Sequence, residues 1–177
     1  VVMDYGHDLF NARIINMLLN SPLNLSINAQ SNAGNRGFNT IARYRGAKSV
    51  FLNGSEVQLE TRNKHSDLID IVPGFAQNLN FNEAYVTNGS RGIICWSALD
   101  GQFVAPAFAP TIVDRTGAGD ATLAVISAMR AAGIPREIAA FYGNVAGGLL
   151  VGALGNEVSI TREMLLSEAS KILRKAT

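Results

Sequence analysis

The stretch from Asp114 to Asp120, with the sequence Asp-Arg-Thr-Gly-Ala-Gly-Asp, constrains the fold of this chain more than any other segment. An extended apolar approach over 110–113 precedes it, and a long helix of small residues over 121–132 is expected to follow it. Gly117 and Gly119 permit backbone conformations closed to other residues, and they let a ligand approach without meeting a Cβ atom. Because the first N–H groups of a helix lack intrahelical partners, the segment predicts an anion site, most naturally for phosphate.

Asp120 ends this stretch, and a carboxylate beside an anion site repels the ligand unless it takes part in chemistry there. A general base that faces the acceptor of a phosphoryl group would take part in this way. The alternative is a helix entry with a capping carboxylate, which many α/β domains contain. The tetrapeptide alone leaves both interpretations open, because short motifs also match by chance.

Length and composition predict one α/β domain over residues 1–177, since 177 residues with 47% hydrophobic and 16% charged side chains suffice for one well-buried core. The 15 basic and 14 acidic residues are scattered, which argues against nucleic acid or an anionic membrane surface as partner. The single cysteine, Cys95, fits a reducing compartment, and the two histidines lack zinc-ligand spacing. No apolar run approaches the ~20 residues of a membrane span. We therefore expect a cytoplasmic protein that acts on small molecules.

Strand and helix patterns alternate along the chain and predict a three-layer α/β/α fold, with helices on both faces of an open, mostly parallel sheet. Strands are expected at 1–4, 23–28, 48–52, 83–87 and 91–96, the last two joined as a hairpin through Asn88-Gly89. Helices are expected at about 9–19 with Asp8 as N-cap, and at 38–44, 66–78, 121–132, 136–151 and from 161 onward. The polar loop at 29–37 is interpreted as solvated.

Asn53 and Glu56 follow the third predicted strand directly, at its junction with a helix. An amide and a carboxylate three residues apart can face the same way, which suits holding a hydrated Mg²⁺ beside nucleotide phosphates through its waters. Asn is also a common helix cap and Glu a common first-turn residue, so a cap is the alternative interpretation.

The glycine-rich stretch before the alanine-rich helix resembles the second signature of the ribokinase-like carbohydrate kinases, also called the phosphofructokinase-B family. The resemblance implies that the backbone amides of Gly117, Ala118, Gly119 and Asp120 form an anion hole for the transferred phosphoryl group. It also implies that Asp120 accepts the proton of the sugar hydroxyl. Arg115 stands where family members usually carry Thr or Ser.

Two further segments resemble the family in the same order: Asn53 to Glu56 matches its Asn-x-x-Glu motif, and 86–92 matches its Val-Thr-x-Gly-x-x-Gly segment. The first implies the Mg²⁺–phosphate environment, and the second implies nucleotide contacts at Thr87, Gly89 and Gly92. Asn144 would lie near the adenine, although its small-residue neighbours also suit helix packing. Together the three segments imply an ATP-dependent kinase, requiring Mg²⁺, for a sugar or sugar phosphate.

Within the family, Asp4-Tyr5-Gly6-His7 and the helix over 144–155 resemble the heptose-phosphate kinase branch. That branch usually carries Asp-Pro-Lys where this chain has Asn28-Ala29-Gln30, so the sugar stays open. The alternatives are a non-catalytic nucleotide-binding module of the same fold and a pyrimidine-type kinase of that fold. The chain contains neither a P-loop nor a Gly-x-Gly-x-x-Gly segment after its first strand.

The chain begins within an apolar run, Val1-Val2-Met3, with no initiator methionine ahead of it. It also contains nothing like the family's first signature, a Gly-Gly-x-x-x-Asn segment that binds the sugar. These features predict the C-terminal, nucleotide-binding part of a larger kinase, which alone cannot phosphorylate a sugar. A strand edge exposed at such a start would favour self-association into a homo-oligomer.

Overall fold

The computed structural model describes residues 1–31, 34–35, 37–108, 116–152 and 158–175. These residues form two compact units. The first unit comprises Val1–Asn88 and Ile94–Val104, and the second comprises Gly89–Ile93 and Ala105–Thr177. The predicted single domain over 1–177 stays a prediction.

Six strands belong to one sheet, in the order β1 to β6. They are β1 Val2–Asp4, β2 Ser26–Ala29, β3 Ser49–Asn53, β4 Glu83–Thr87, β5 Ile93–Ser97 and β6 Gly101–Ala105. Strands β1 to β4 are parallel. The Ala98 N–H donates to the Asn82 carbonyl, which puts the end of β5 beside the start of β4 in an antiparallel arrangement. The sheet is therefore mixed and mostly parallel, which confirms the α/β class.

Six α-helices accompany the strands in the described residues. They are α1 Ala12–Leu19, α2 Gly54–Thr61, α3 Leu68–Asn78, α4 Ala118–Ala131, α5 Arg136–Val151 and α6 Arg162–Lys175. In the first unit, one apolar core joins strand residues such as Ile27, Val50 and Val86 to Val57 of α2 and Val72 of α3. These five side chains are fully buried. Because each contributes about 1.5–3 kcal/mol when buried, the core fixes the strand ends relative to the helices that follow them.

Helix α1 begins later than predicted, and Asp8 is not its N-cap. The Asn11 side chain caps the helix by accepting from the Ile14 N–H at 3.1 Å. Asp8 has a left-handed backbone, with φ of 61°. Both residue types make good N-caps. Asn11 is the N-cap of α1 because the apolar pattern that buries Ile15 starts directly after it.

Pro73 lies inside α3, which runs on as a single helix. A proline lacks an N–H, so the carbonyl four residues earlier, that of Ile69, loses its helical donor. The Gln102 side-chain amide of β6 donates to this carbonyl at 2.9 Å. The sheet therefore supplies the hydrogen bond that the proline removes.

The helix predicted over 38–44 is shorter, a 3₁₀ turn at Ile41–Tyr44.

In the second unit, α4 and α5 pack closely because glycines of α5 face α4. A Cβ atom on Gly143 would lie 2.5 Å from Ile126 Cγ1, and one on Gly147 would lie 2.7 Å from Thr122 Oγ1. The Thr122 hydroxyl donates to the Gly143 carbonyl at 3.1 Å. The small residues of α5 thus serve helix packing, as the sequence analysis allowed.

Candidate functional site

The Asn53–Glu56 pair of the first unit forms a capping box at the start of α2. The Asn53 side chain accepts from the Glu56 N–H at 3.0 Å, and Glu56 Oε2 accepts from the Asn53 N–H at 2.9 Å. Both residues therefore cap the helix, which was the alternative interpretation of this motif. A role for them beside Mg²⁺ stays a prediction.

Glu56 has a second backbone partner outside α2. Its Oε1 atom accepts from the Ser31 N–H at 3.1 Å, and its residue is only 8% exposed. Burial raises the pKa of the Glu56 carboxyl above its usual value, and the hydrogen bonds from Asn53 and Ser31 oppose that rise. The carboxylate is thus held between the ends of β2 and β3 by one donor from each side.

The donor set at this position fits a hydrated cation better than a directly ligated one. The described residues contain no group of three or more His, Cys, Asp or Glu side chains that could hold a metal ion. Each oxygen of Glu56 accepts one backbone N–H and keeps a lone pair, which can accept from a metal-bound water. Mg²⁺ usually keeps several waters, so an outer position for Glu56 suits it.

Thr87 ends β4 and pairs in register with Asn53, the last residue of β3. The structure therefore brings Thr87, Asn53 and Glu56 together at the carboxyl ends of neighbouring parallel strands. Ligands of open α/β sheets bind at such ends. Thr87 is half-buried, and its predicted contact with a nucleotide is untested.

Gly89 and Gly92 belong to the second unit. Gly89 begins a short 3₁₀ turn, Gly89–Arg91, and Gly92 follows it. Both have positive φ angles, 57° and 88°. A Cβ atom on Gly92 would lie 2.0 Å from the Ala105 carbonyl oxygen. Backbone conformation and packing therefore suffice to explain Gly92, and a nucleotide contact at either glycine stays a prediction.

Helix α4 begins at Ala118, three residues earlier than predicted, with Gly117 as N-cap in a left-handed conformation at φ of 77°. The first hydrogen bond of the helix runs from the Ala121 N–H to the Gly117 carbonyl at 2.9 Å. The N–H groups of Ala118 and Gly119 precede this bond, in the first turn that attracts anions. Asp120 lies in the same turn and is half-buried. Asp114 and Arg115 lie outside the described residues.

Gly119 lacks a structural reason to be glycine among the described residues. It lies inside α4 and is exposed, its φ is not positive, and no described atom comes within 4 Å of the Cβ position. Gly117 has a positive φ, whereas Gly119 adopts the helical conformation, so of these two glycines the first uses its conformational freedom. A glycine at this position suits close approach of a ligand, and that approach stays a prediction.

Asn144 of α5 is 9% exposed, and its amide donates to the Ala105 carbonyl at 3.0 Å. This contact ties α5 to the end of β6 within the second unit. Its predicted place near an adenine is not tested by the contact, which leaves the side-chain oxygen for another partner.

Two residues around Glu56, Ser31 and Asn39, were not predicted from sequence to belong to its surroundings. Ser31 was placed in a solvated loop, yet its N–H contacts Glu56. Asn39, expected in a short helix, is 5% exposed and donates to backbone carbonyls at the ends of β1 and β2. The available signal was their place just beyond β2, on the ligand edge of a parallel sheet.

Within the described residues, no helix is long and apolar enough to span a membrane.

Comparison with known proteins identifies relatives by sequence and solved structures with a similar fold. Over 115 residues, the chain is 33% identical to the bifunctional protein HldE of Proteus mirabilis, covering 64% of this chain and 24% of that protein. It is 28% identical over 176 residues to HldE of Magnetococcus marinus, covering 96% of this chain and 36% of the relative. These relatives agree with the expected nearness to the heptose-phosphate kinase branch. The chain spans about a quarter to a third of the length of the curated relatives it matches.

Solved structures show the same fold at low sequence identity. A ribokinase from Thermotoga maritima superposes with a TM-score of 0.77 at 17% identity, covering 96% of this chain and 56% of that one. An Arabidopsis thaliana ribokinase complexed with ribose and ATP gives 0.75 at 17% identity, covering 89% and 51%. The predicted ribokinase-like fold is thereby confirmed. The model of the pfkB family of carbohydrate kinases matches residues 29–162, and the chain belongs to that family.

Proposed function

We propose that this chain supplies the nucleotide-binding and catalytic part of an ATP-dependent carbohydrate kinase. The kinase transfers the γ-phosphoryl group of ATP to a hydroxyl of a sugar or sugar phosphate. Membership of the pfkB family supports the reaction class. The observation that carries the assignment is Gly119, an exposed helical glycine in the first turn of α4 that neither its backbone nor its described neighbours require.

The start of α4 can stabilise negative charge that develops on the transferred group. The N–H groups of Ala118 and Gly119 precede the first helical hydrogen bond, and the helix dipole adds partial positive charge at the same end. Preorganised donors of this kind lower the barrier because they need no reorganisation during the reaction. The missing Cβ at Gly119 lets phosphoryl oxygens reach these donors.

Asp120 serves as the general base in this proposal. It shares the first turn of α4 with the donors, so a hydroxyl directed at the phosphoryl group at this turn comes within reach of its carboxylate. Asp120 accepts the hydroxyl proton as the oxygen attacks the γ-phosphorus, the bond from that phosphorus to the β–γ bridging oxygen breaks, and ADP leaves. The attacking oxygen becomes the phosphate-ester oxygen of the product. The carboxylate thereby takes part in the chemistry, which explains an acidic group at an anion site.

The remaining site residues bind the nucleotide and its cation. Glu56 would accept hydrogen bonds from the waters of Mg²⁺, and Asn53, whose Oδ1 already accepts from the Glu56 N–H and the Ser55 hydroxyl, would lie beside the same waters. When bound, the ion would neutralise phosphate charge during transfer. The residues assigned to the nucleotide itself are Thr87, Gly89, Gly92 and Asn144.

We place the enzyme in the cytoplasm, since its single cysteine, Cys95, is a buried free thiol that suits a reducing compartment.

Asp120→Asn in the full-length protein tests the assignment. Turnover of ATP with a panel of sugars and sugar phosphates should fall by ~10²-fold or more, because the hydroxyl loses its proton acceptor. The nucleotide dissociation constant, measured by calorimetry, should hold or improve because a negative charge beside the phosphates is removed.

Glu163→Gln is the matched control, since Glu163 is an exposed acidic residue in the first turn of another helix, α6. It should leave turnover unchanged. Near-normal turnover by Asp120→Asn would refute the assignment of the base. An equal loss in both variants would show that the effect is not local to α4.

A further inference from the structure

Asn39 links the carboxyl ends of β1 and β2 from a buried position. Its side-chain Nδ2 donates to the Asp4 carbonyl at 2.9 Å and to the Gln30 carbonyl at 3.3 Å. The residue is only 5% exposed. The backbone N–H of Gln30 also donates to the Asp4 carbonyl, at 2.8 Å. Asn39 thus holds the backbone at the point where β2 has just ended.

The orientation of the Asn39 amide follows from its third partner. Arg43 Nη1 donates to Asn39 Oδ1 at 2.6 Å and to Asp4 Oδ2 at 3.2 Å. A guanidinium only donates, so the oxygen of the amide must face Arg43 and the nitrogen must face the two carbonyls. The Tyr44 hydroxyl donates to the same Asp4 oxygen at 2.8 Å, which holds that carboxylate in place.

The Gln30 carbonyl and the Ser31 N–H belong to one peptide group. Asn39 donates to the carbonyl, and the N–H donates to Glu56 Oε1 at 3.1 Å. Because a peptide group is planar, fixing the direction of its carbonyl also fixes the direction of its N–H. Asn39 therefore controls the angle at which Ser31 reaches the Glu56 carboxylate.

Glu56 needs this second donor to hold a single carboxylate plane. The Asn53 N–H fixes only Oε2, and the terminal torsion of a glutamate is otherwise broad. With Ser31 on Oε1 and Asn53 on Oε2, both oxygens are anchored, and their remaining lone pairs have defined directions.

We propose that Asn39 is a positioning residue for Glu56, acting through the Gln30–Ser31 peptide. The inference rests on the proposed function, in which Glu56 accepts hydrogen bonds from the waters of Mg²⁺. Asn39 itself touches neither the cation nor the nucleotide. Its contribution is to keep the Glu56 carboxylate oriented toward those waters.

Asn39→Asp in the full-length protein tests the proposal, because aspartate keeps the size and the acceptor for Arg43 and removes both donated hydrogen bonds. The Mg²⁺ concentration for half-maximal activity should rise about tenfold, the effect of losing one oriented hydrogen bond, while kcat at saturating Mg²⁺ changes by less than about twofold. Asn39→Ser, whose hydroxyl is too short to reach both carbonyls, serves as the second variant if aspartate prevents folding.

Hydrogen exchange gives a readout that does not depend on activity. In Asn39→Asp, the Ser31 amide should exchange about tenfold faster by NMR, because the peptide is no longer held. The Asn53 amide, which bonds the other Glu56 oxygen within the local capping box, should keep its rate. Unchanged exchange at Ser31 would overturn the proposal.

Tyr44→Phe is the control for a general loss of stability. It removes the hydrogen bond to Asp4 without touching the Gln30–Ser31 peptide. It should lower the melting temperature and leave the Mg²⁺ requirement unchanged. An equal Mg²⁺ shift in this control would reduce Asn39 to a stabilising role and overturn the inference.

Glu56→Gln separates failure of this inference from failure of the proposed function. If Glu56→Gln shifts the Mg²⁺ requirement and Asn39→Asp does not, the positioning role of Asn39 is wrong and the role of Glu56 stands. If Glu56→Gln has no effect, the assignment of Glu56 to Mg²⁺ is wrong, and the inference falls with it. In the double variant, Asn39→Asp should add no further shift, since the two residues act in one path.

Discussion

Gly119→Ala distinguishes a glycine required for ligand approach from one required for folding. In the structure, Gly119 is an exposed residue of α4, and no described atom lies within 4 Å of the position that an added Cβ would take. The substitution therefore introduces no overlap with the described residues. It places a methyl group on the surface beside the first N–H groups of the helix.

The expected effects on stability and turnover have opposite signs. In a helix interior, alanine stabilises the helix by about 1 kcal/mol relative to glycine. At a first-turn position, about half of that stabilisation, ~0.5 kcal/mol, should remain. For a domain of this size, such a gain raises the melting temperature by about 1–2 °C. Turnover should fall by ~10²-fold, because a methyl group in the approach displaces the phosphoryl group by about 1 Å.

The assay compares Gly119→Ala with Gly74→Ala in the full-length protein. Gly74 is also an exposed helical glycine with no described atom within 4 Å of its Cβ position, and it lies in α3. Thermal unfolding should show a similar small stabilisation in both variants, measured for each without ligand. Initial rates with ATP and Mg²⁺ should fall only in Gly119→Ala.

Two results would contradict this reasoning. Normal turnover by Gly119→Ala would show that no ligand approaches this turn closely, and the anion-hole assignment would fail. A melting temperature lowered by several degrees would show that Gly119 is needed for folding, so any loss of activity could not be assigned to the ligand. Gly74→Ala excludes a general effect of alanine in exposed helices.

Two further predictions concern packing and pH. Gly143→Ala should destabilise the protein by about 1–3 kcal/mol, because its Cβ would lie 2.5 Å from Ile126 Cγ1; wild-type stability in urea would contradict the packing account. Burial raises the pKa of Glu56 above its ordinary value of 4.5, so the folded state keeps a proton that the unfolded chain releases. The protonated Glu56 therefore contributes to the free energy of unfolding below pH 4.5, and this contribution is lost as pH rises through the pKa of the folded state. Urea unfolding at a series of pH values should show this loss of stability in wild type and not in Glu56→Gln.

The sheet was largely predictable from sequence because its strands are short apolar runs ended by polar or glycine residues. The strands expected at 48–52 and 83–87 correspond to β3 at Ser49–Asn53 and β4 at Glu83–Thr87. The strand expected at 23–28 is shorter, with β2 at Ser26–Ala29. The central strands could be recognised because burial on both faces leaves a continuous apolar pattern, whereas the stretch 23–28 could be recognised by its alternation of apolar and polar residues.

Helix starts were less predictable, because several residues can cap one helix. Asp8 and Asn11 are both good caps, and only the tertiary position of Ile15 selects Asn11. At α4, Gly119 suggested that the helix would start after the glycines, whereas Gly117 alone makes the turn and the helix already includes Gly119. Local propensity does not rank such alternatives.

The surroundings of the site depend on contacts between residues far apart in sequence. Ser31 reaches Glu56 across 25 positions, and Asn144 reaches Ala105 across 39. No local pattern marks a backbone N–H as the partner of a distant carboxylate. The motif residues could therefore be named from sequence, but the groups that hold them could not.

The close contact between α4 and α5 couples sequence variation on one helix to the other. A Cβ on Gly147 would lie 2.7 Å from Thr122 Oγ1 and 3.5 Å from the Ala118 carbonyl oxygen. In related kinases, the positions matching 122 and 147 should therefore exchange volume in pairs, with a larger side chain at one accompanied by a smaller one at the other. A lineage that enlarged position 147 alone would displace the Thr122 side chain, early in α4, because the 3.5 Å separation from the Ala118 carbonyl oxygen is an ordinary contact. The side chains that α5 can accept at position 147 are thus limited by residues early in α4, even where this part of α5 contacts no substrate.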